Sequence, residues 1–219
     1  MDLHGEIPCY RVLSAAHPYS TDCMRLGWRT EVTGLFLPKI RMNCDVLHLT
    51  GEIPDDVVAC AATVAEACRE VGAKAIFWEP QAPSEHSERL LRHWREHFGL
   101  QIYSPKTFVG AVPVCTEPLV ALPPAPFAVG ITARTTITEI RGGHAVKRTA
   151  NRGELEAILE KFHPEIAYSA ELAADFFTLH TDDTTLFAVF DTEATLQKRI
   201  ARAVAAGASA VFCNFCEKS

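Results

Sequence analysis

Short apolar runs alternate with segments of helical periodicity along the first half of the chain. Three runs that predict strands lie at 45–51, 73–80 and 100–105. Two predicted helices lie between them, one from Pro54 to Gly72 and one over 85–98, with Ser84 as the N-cap of the second helix and Gly99 as its end. Two successive βαβ units of this kind imply parallel strands joined by right-handed crossovers.

The second half of the chain interrupts this alternation and then resumes it. Residues 109–127 contain five prolines, which predicts a connector. Residues 127–151 alternate apolar and polar side chains around Arg141-Gly142-Gly143, the pattern of a β-hairpin. The later predicted elements are a helix over 153–162, strands over 165–170 and 186–191, a helix capped by Asp191, and a last strand over 208–215.

Charge and hydropathy exclude several classes of function. The chain has 219 residues and a net charge of −6 without a basic stripe, which argues against a nucleic-acid partner. No stretch approaches the roughly 18 apolar residues of a membrane-spanning helix, and the first residues lack the pattern of a signal peptide. We therefore expect a soluble, cytoplasmic protein without a membrane partner. The sequence carries no signal for its oligomeric state.

Eight cysteines are present, and their positions favour buried free thiols over disulfides. Cys213 and Cys216 have the spacing of a Cys-x-x-Cys pair, which supports a thiol redox or metal-binding alternative. No helix is predicted after the pair to stabilise a thiolate, and a zinc site would need two ligands from distant residues such as Cys9, Cys44 or His48. We expect two separate thiols, no metal and no other cofactor.

A second candidate metal site lies on the helix predicted over 85–98. His93 and His97 are four residues apart, a spacing that can hold a metal ion. Arg92 and Arg95 flank the pair, and neighbouring cations disfavour a divalent metal. A solvated helix face is the favoured interpretation.

Two longer stretches resemble one protein family. They are GAKAIFWEPQAPSEHSERLLRHWREHFG at 72–99 and ADFFTLHTDDTTLFAVFDTEATLQKRIARAVAAGASAVFCNF at 174–215. The first is similar to the fourth strand and following helix of family-18 glycoside hydrolases, and the second to their closing segment, especially in the spore-wall type.

This resemblance implies a TIM-type (β/α) barrel, compact or incomplete, with the hairpin as an insertion. Residues 1–219 would form a single barrel-like domain, in which 113–150 is a Pro-rich connector plus the hairpin. An open doubly wound sheet is the alternative that the alternation of strands and helices leaves open.

The family's fourth strand normally carries the signature Asp-x-x-Asp-x-Asp-x-Glu. Its glutamate protonates the leaving oxygen while the substrate's own acetamido group attacks. Setting Glu79 on this glutamate places the three aspartate positions on Gly72, Ala75 and Phe77. Phe77 can neither orient an acetamido group nor adjust the proton affinity of Glu79. The resemblance therefore implies a candidate general acid, Glu79, without its helpers.

Four further residues are candidates for substrate binding: Trp78, Tyr103, Tyr168 and Asn214. They lie at or near the ends of predicted strands, where barrels of this class bind their ligands. Aromatic side chains of a packed core occupy similar positions, so packing is the alternative role, above all for Trp78.

These observations support three hypotheses about function. The first is a catalytically impaired, glycoside hydrolase-like protein that binds a glycan or has a structural role. The second is an active glycosidase on an N-acetylated glycan of chitin or peptidoglycan type, with Glu79 as general acid. The third is the redox or metal-binding protein that uses Cys213 and Cys216.

Overall fold

The computed structural model describes residues 9–12, 23–28, 35–36, 43–50, 55–80, 83–117 and 122–214, and the side chains within 43–49, 55–80, 83–117 and 122–213. The described residues belong to two compact units. The first unit runs to Gly130 and resumes at Ala206, and the second comprises Ile131–Ala205.

Strands predominate in both units. The strands are β1 (Cys9–Val12), β2 (Cys23–Trp28), β3 (Leu35–Phe36), β4 (Val46–Thr50), β5 (Ala75–Trp78), β6 (Gln101–Ser104), β7 (Val112–Thr116), β8 (Ala128–Thr132), β9 (Thr135–Arg141), β10 (His144–Thr149), β11 (Ala167–Ser169), β12 (Ala174–His180), β13 (Thr184–Phe190) and β14 (Ala210–Asn214). The helices are α1 (Val57–Val71), α2 (Glu85–Phe98), α3 (Arg152–Phe162) and α4 (Glu193–Ala205).

The first unit contains a nine-stranded sheet in the order β1-β14-β8-β7-β6-β5-β4-β2-β3. From β8 to β2 the strands follow chain order across the sheet, and β1 pairs in parallel with β14. At the open junction, β1 and β2 have Cα atoms within 8 Å of each other. A doubly wound sheet would reverse its strand order in the middle and keep its first strand away from its last. The order is that of an incomplete TIM-type barrel, as predicted, and it excludes the open-sheet alternative.

Helices α1 and α2 are the crossovers that follow β4 and β5, and both end at the predicted glycine. Helix α1 begins later than the predicted start at Pro54, because Asp56 is its N-cap and accepts a hydrogen bond from the amide of Ala59 at 3.0 Å. The side chain of Ser84 accepts a hydrogen bond from the amide of Ser87 at 3.1 Å, which caps α2. Gly72 and Gly99 end the two helices with φ values of 77° and 64°, a left-handed conformation that glycine adopts readily. None of the helices in the described ranges is long and apolar enough to cross a membrane.

Strand β5 buries both of its faces. Along β5, Ile76 and Trp78 belong to a core that includes α1 and α2, whereas Ala75 and Phe77 belong to a second core made of strand residues alone. This alternation has the period of two that a β-strand imposes. The second core is therefore the interior of the barrel, and every odd-numbered side chain of β5 points into it.

The proline-rich stretch differs from the prediction of a connector over 109–127. It contains β7, which pairs in parallel with β6 and β8. Val112 and Val114 are buried in the barrel interior, and their burial stabilises a strand in which Pro113 removes only one donor. Residues 128–132, predicted as the start of the hairpin, instead form β8 of the parallel sheet. Between β6 and β7, residues 105–111 contain no helix, so this crossover is shortened.

The second unit contains a five-stranded antiparallel sheet in the order β10-β9-β13-β12-β11. Strands β9 and β10 form the predicted hairpin, with Arg141 paired to His144 across the two-residue turn Gly142-Gly143. Both glycines have positive φ, 54° and 81°, as the favoured two-residue hairpin turns require. Helix α3 packs on this sheet through Leu155.

Asp191 has a different role from the predicted helix cap. Its side chain is fully buried and bonds to Arg134 and Arg199, with 2.5 Å between its Oδ2 and Nη1 of Arg199. Thr192 occupies the cap position instead, and its amide donates to the hydroxyl of Thr195 at 2.7 Å. The two arginines attract the carboxylate more strongly than the helix amides do, since they neutralise its charge in a buried setting.

Candidate functional site

Four rings form a layer in the interior of the barrel, which we call the aromatic layer: His48, Phe77, Tyr103 and Phe212. The strand register places His48 opposite Phe77 and Phe77 opposite Tyr103. The ring centroid of Phe77 lies 4.9 Å from that of His48 and 4.6 Å from that of Phe212. Tyr103 contacts Phe212 edge-on at 5.0 Å. The layer is thus a set of mutually packed rings in the barrel interior.

Glu79 follows β5 directly and lies at the carboxyl end of the barrel strands. Its amide donates to the carbonyl of Leu49 at 3.3 Å, which continues the pairing of β5 with β4. Its carboxylate oxygen Oε2 lies 2.8 Å from Nε2 of His48. The Glu79 side chain is 46% exposed, whereas that of His48 is 4% exposed. A half-exposed carboxylate is therefore held by a buried imidazole.

Sequence reasoning named His48 only as a possible distant zinc ligand and missed it as the partner of Glu79. Its Nδ1 atom is buried and has no hydrogen-bond partner among the described residues. The sequence does carry a signal: in the run VLHLT of β4, His48 is a polar residue on the same face as Val46, which belongs to the barrel interior. Only the register with β5 turns this signal into a contact with Glu79.

The aspartate positions of the family signature hold no carboxylate. Gly72 ends α1, and Ala75 and Phe77 point into the barrel interior. Phe77 is 5% exposed and belongs to the aromatic layer. The position next to Glu79 on the same face of β5 therefore carries an apolar ring in a packed environment.

Trp78 and Tyr103 are both buried. Trp78 is 1% exposed and lies in the core on the helix side of the sheet, stacked on Phe108 at 5.1 Å and edge-on to Trp94 at 5.3 Å. These contacts favour the packing role over substrate binding for Trp78. Burial raises the pKa of Tyr103, so its phenol stays neutral within the aromatic layer.

The two other candidates, Tyr168 and Asn214, belong to different units. Tyr168 is on β11 of the second unit, and the Nζ atom of Lys198 lies 3.7 Å from its ring centroid. A cation over the ring occupies one face of this candidate sugar-binding residue. Asn214 ends β14 of the first unit, and its side chain is outside the described residues.

The thiol and metal hypotheses gain little from the geometry. Cys213 is buried on β14, and Cys216 lies outside the described residues. Across the ranges that the structure describes, no cluster of three or more His, Cys, Asp or Glu side chains could hold a metal ion. The ring centroids of His93 and His97 on α2 lie 4.7 Å apart, and His97 is exposed. Burial, with a smaller contribution from Cys44, raises the pKa of Cys68 to about 12.

The protein resembles known proteins in its structure. No family model matches the sequence, and no curated protein is similar to it.

Solved structures do resemble the fold. A class V chitinase from Nicotiana tobaccum, solved as a mutant in complex with NAG4, matches with a TM-score of 0.63 at 9% identity over 95% of this chain and 93% of that one. The spore cortex-lytic enzyme SleL of Bacillus cereus matches with a TM-score of 0.59 at 11% identity over 95% of this chain and 69% of that one.

A family GH18 chitinase from Cycas revoluta, in complex with allosamidin, matches with a TM-score of 0.58 at 8% identity. The match covers 95% of this chain and 94% of the chitinase. At such low identity these likenesses establish the fold, and they confirm the predicted resemblance to family-18 barrels at that level.

Proposed function

We propose that this protein is a glycan-binding barrel that has lost the substrate-assisted hydrolysis of family 18. The observation that supports the proposal is the position of Phe77, which is buried in the aromatic layer two residues before Glu79. In the family signature this position carries the aspartate that orients the substrate's acetamido group.

The loss follows from what a phenylalanine ring can do. The ring accepts no hydrogen bond from an acetamido N–H and carries no charge to stabilise a developing oxazolinium cation. Removing one electrostatic partner of a transition state typically lowers the rate by about 10²–10³. Because Phe77 packs against His48 and Phe212, an apolar ring is fixed at the position that the aspartate has in the signature.

Glycan binding does not need the orienting aspartate that hydrolysis needs. Glu79 presents a half-exposed carboxylate at the carboxyl end of the barrel strands, where proteins of this fold bind ligands. A carboxylate accepts hydrogen bonds from sugar hydroxyls and amide N–H groups. Since a structural neighbour is known in complex with NAG4, oligomers of N-acetylglucosamine are the ligand class that we propose.

The 2.8 Å contact between His48 and Glu79 favours a second candidate function, an active glycosidase. In that case Glu79 would donate its proton to the leaving oxygen, the acetamido oxygen would attack the anomeric carbon, and His48 would take over part of the work of the missing aspartate. This candidate still lacks a group that orients the acetamido N–H.

Calorimetric titration with the chitin tetramer and with a peptidoglycan fragment tests the proposal. We expect the wild type to bind one of these ligands and Glu79→Gln to bind it more weakly. Glu66→Gln is the matched control, because Glu66 is an exposed glutamate on the outer helix α1, and it should bind as the wild type does. Absence of binding to both ligands would overturn the proposal.

A further inference from the structure

We infer that His48 is a positioning residue of Glu79 and that it holds the Glu79 carboxylate in place from the neighbouring strand. The effect of His48 on ligand affinity rests on the proposed glycan binding. The coupling between the two side chains does not, so it can be tested separately.

The imidazole is fixed from several directions. His48 is 3% exposed on β4, lies opposite Phe77 in the strand register and contacts the Phe77 ring edge-on at 4.9 Å with an interplanar angle of 64°. A glutamate side chain that is 46% exposed has many rotamers available to it. The bond from the fixed ring to Oε2 selects a small set of them, so the carboxylate is pre-organised for a ligand.

Packing alone does not explain a histidine at position 48. Its Nδ1 atom is buried without a hydrogen-bond partner among the described residues, and an orphaned buried polar atom is unfavourable. A phenylalanine or leucine would fill the aromatic layer without that cost. The bond of Nε2 to Glu79 is the compensating interaction that only a histidine supplies here.

The direction of the bond defines what Glu79 can offer a ligand. When neutral His48 carries its proton on Nε2, the ring donates to Oε2 and Glu79 is a carboxylate. Glu79 then acts as a hydrogen-bond acceptor, which suits the hydroxyl and acetamido N–H donors of an N-acetylated sugar. His48 itself touches no ligand in this arrangement and acts through Glu79.

A double-mutant cycle tests the inference. His48→Phe keeps a ring in the aromatic layer and removes both nitrogens, His48→Gln keeps an N–H donor near the position of Nε2, and Glu79→Ala removes the carboxylate. We expect His48→Phe to weaken binding of the chitin tetramer about three- to tenfold. This estimate takes the contribution of one hydrogen bond to a charged group and reduces it because the Glu79 carboxylate is half exposed. His48→Gln should restore part of the loss, and His48→Phe should have no further effect in the Glu79→Ala background.

A merely structural role would give another pattern. His48→Phe would then lower stability, while the folded variant would bind with wild-type affinity or lose affinity equally in both backgrounds, and this result would overturn the inference. If the wild type binds no glycan, the proposed function fails. The urea unfolding midpoints of the wild type, His48→Phe, Glu79→Ala and the double variant then decide whether the two side chains are coupled. Non-additive midpoints and a changed ¹⁵N shift of His48 Nε2 in Glu79→Ala would support the coupling. Additive midpoints with an unchanged shift would refute it.

Discussion

Replacing Phe77 by aspartate would put a carboxylate back at the signature position two residues before Glu79. We expect this change to destabilise the protein and not to produce a hydrolase. Phe77 is 5% exposed, and its ring contacts those of His48 and Phe212 in the aromatic layer. An aspartate there would lose these contacts and would lie near the carboxylate of Glu79.

The magnitude follows from two contributions. Truncating a buried phenylalanine to alanine costs about 3–5 kcal/mol, and aspartate recovers little of that packing. Even if the aspartate takes up a proton and becomes neutral, burying its polar carboxyl group adds about 1–3 kcal/mol. The total of about 4–8 kcal/mol is a large share of the roughly 5–15 kcal/mol that stabilise an ordinary domain. Phe77→Leu is the matched control and should cost less than Phe77→Asp, because it keeps an apolar side chain in the aromatic layer.

Urea unfolding followed by tryptophan fluorescence measures the effect, because Trp78 and Trp94 are fully buried. We expect the unfolding midpoint of Phe77→Asp to fall far below that of Phe77→Leu. A difference of less than about 1 kcal/mol between the two variants would show that the layer tolerates a polar group as readily as an apolar one. Hydrolysis of the chitin tetramer by Phe77→Asp would refute the expectation that this change does not produce a hydrolase.

Two further predictions concern stability. Asp191→Ala should cost about 3–5 kcal/mol, because it leaves the buried guanidinium of Arg199 without its partner. Asp183→Ala is the control and should cost less than about 0.5 kcal/mol, since the 3.8 Å ion pair of Asp183 with Arg141 is three-quarters exposed. Equal losses of unfolding free energy in the two variants, measured by chemical unfolding, would contradict the stabilising role of the buried Asp191. Burial chiefly raises the pKa values of Cys60 and Cys68 from 9.0 to about 11 and about 12, so the unfolded chain loses these protons first and the free energy of unfolding should fall as pH rises above 9. A variant with both cysteines replaced by alanine should show a shallower fall in urea unfolding between pH 8 and 10.5, and an unchanged slope would refute the prediction.

Local signals account for the elements that the sequence predicted well. Helix α2 has the predicted bounds, Glu85–Phe98, because its cap at Ser84, its apolar stripe and its end at Gly99 are all encoded within the segment. Strand β7 was hidden by the proline content around it, although the burial of Val112 and Val114 decides its conformation. That burial depends on neighbouring strands and cannot be read from the local sequence.

Long-range pairs explain what was missed at Asp191 and at the candidate site. Asp191 reads as a helix cap until Arg134, 57 residues away in the chain, is placed beside it. Glu79 could be predicted at the carboxyl end of its strand from the apolar run before it. Its partner His48 could not, because the two are 31 residues apart and meet only through the register of β4 with β5.

Loss of hydrolysis with retention of binding is the central claim, and the products of a long incubation test it most directly. Wild-type protein at a concentration that binds the chitin tetramer would be incubated with it, and the sugar then analysed by mass spectrometry beside a Glu79→Gln sample. We predict that the tetramer is recovered intact from both samples. Shorter oligomers that form with the wild type and are absent with Glu79→Gln would contradict the claim and identify Glu79 as a working general acid.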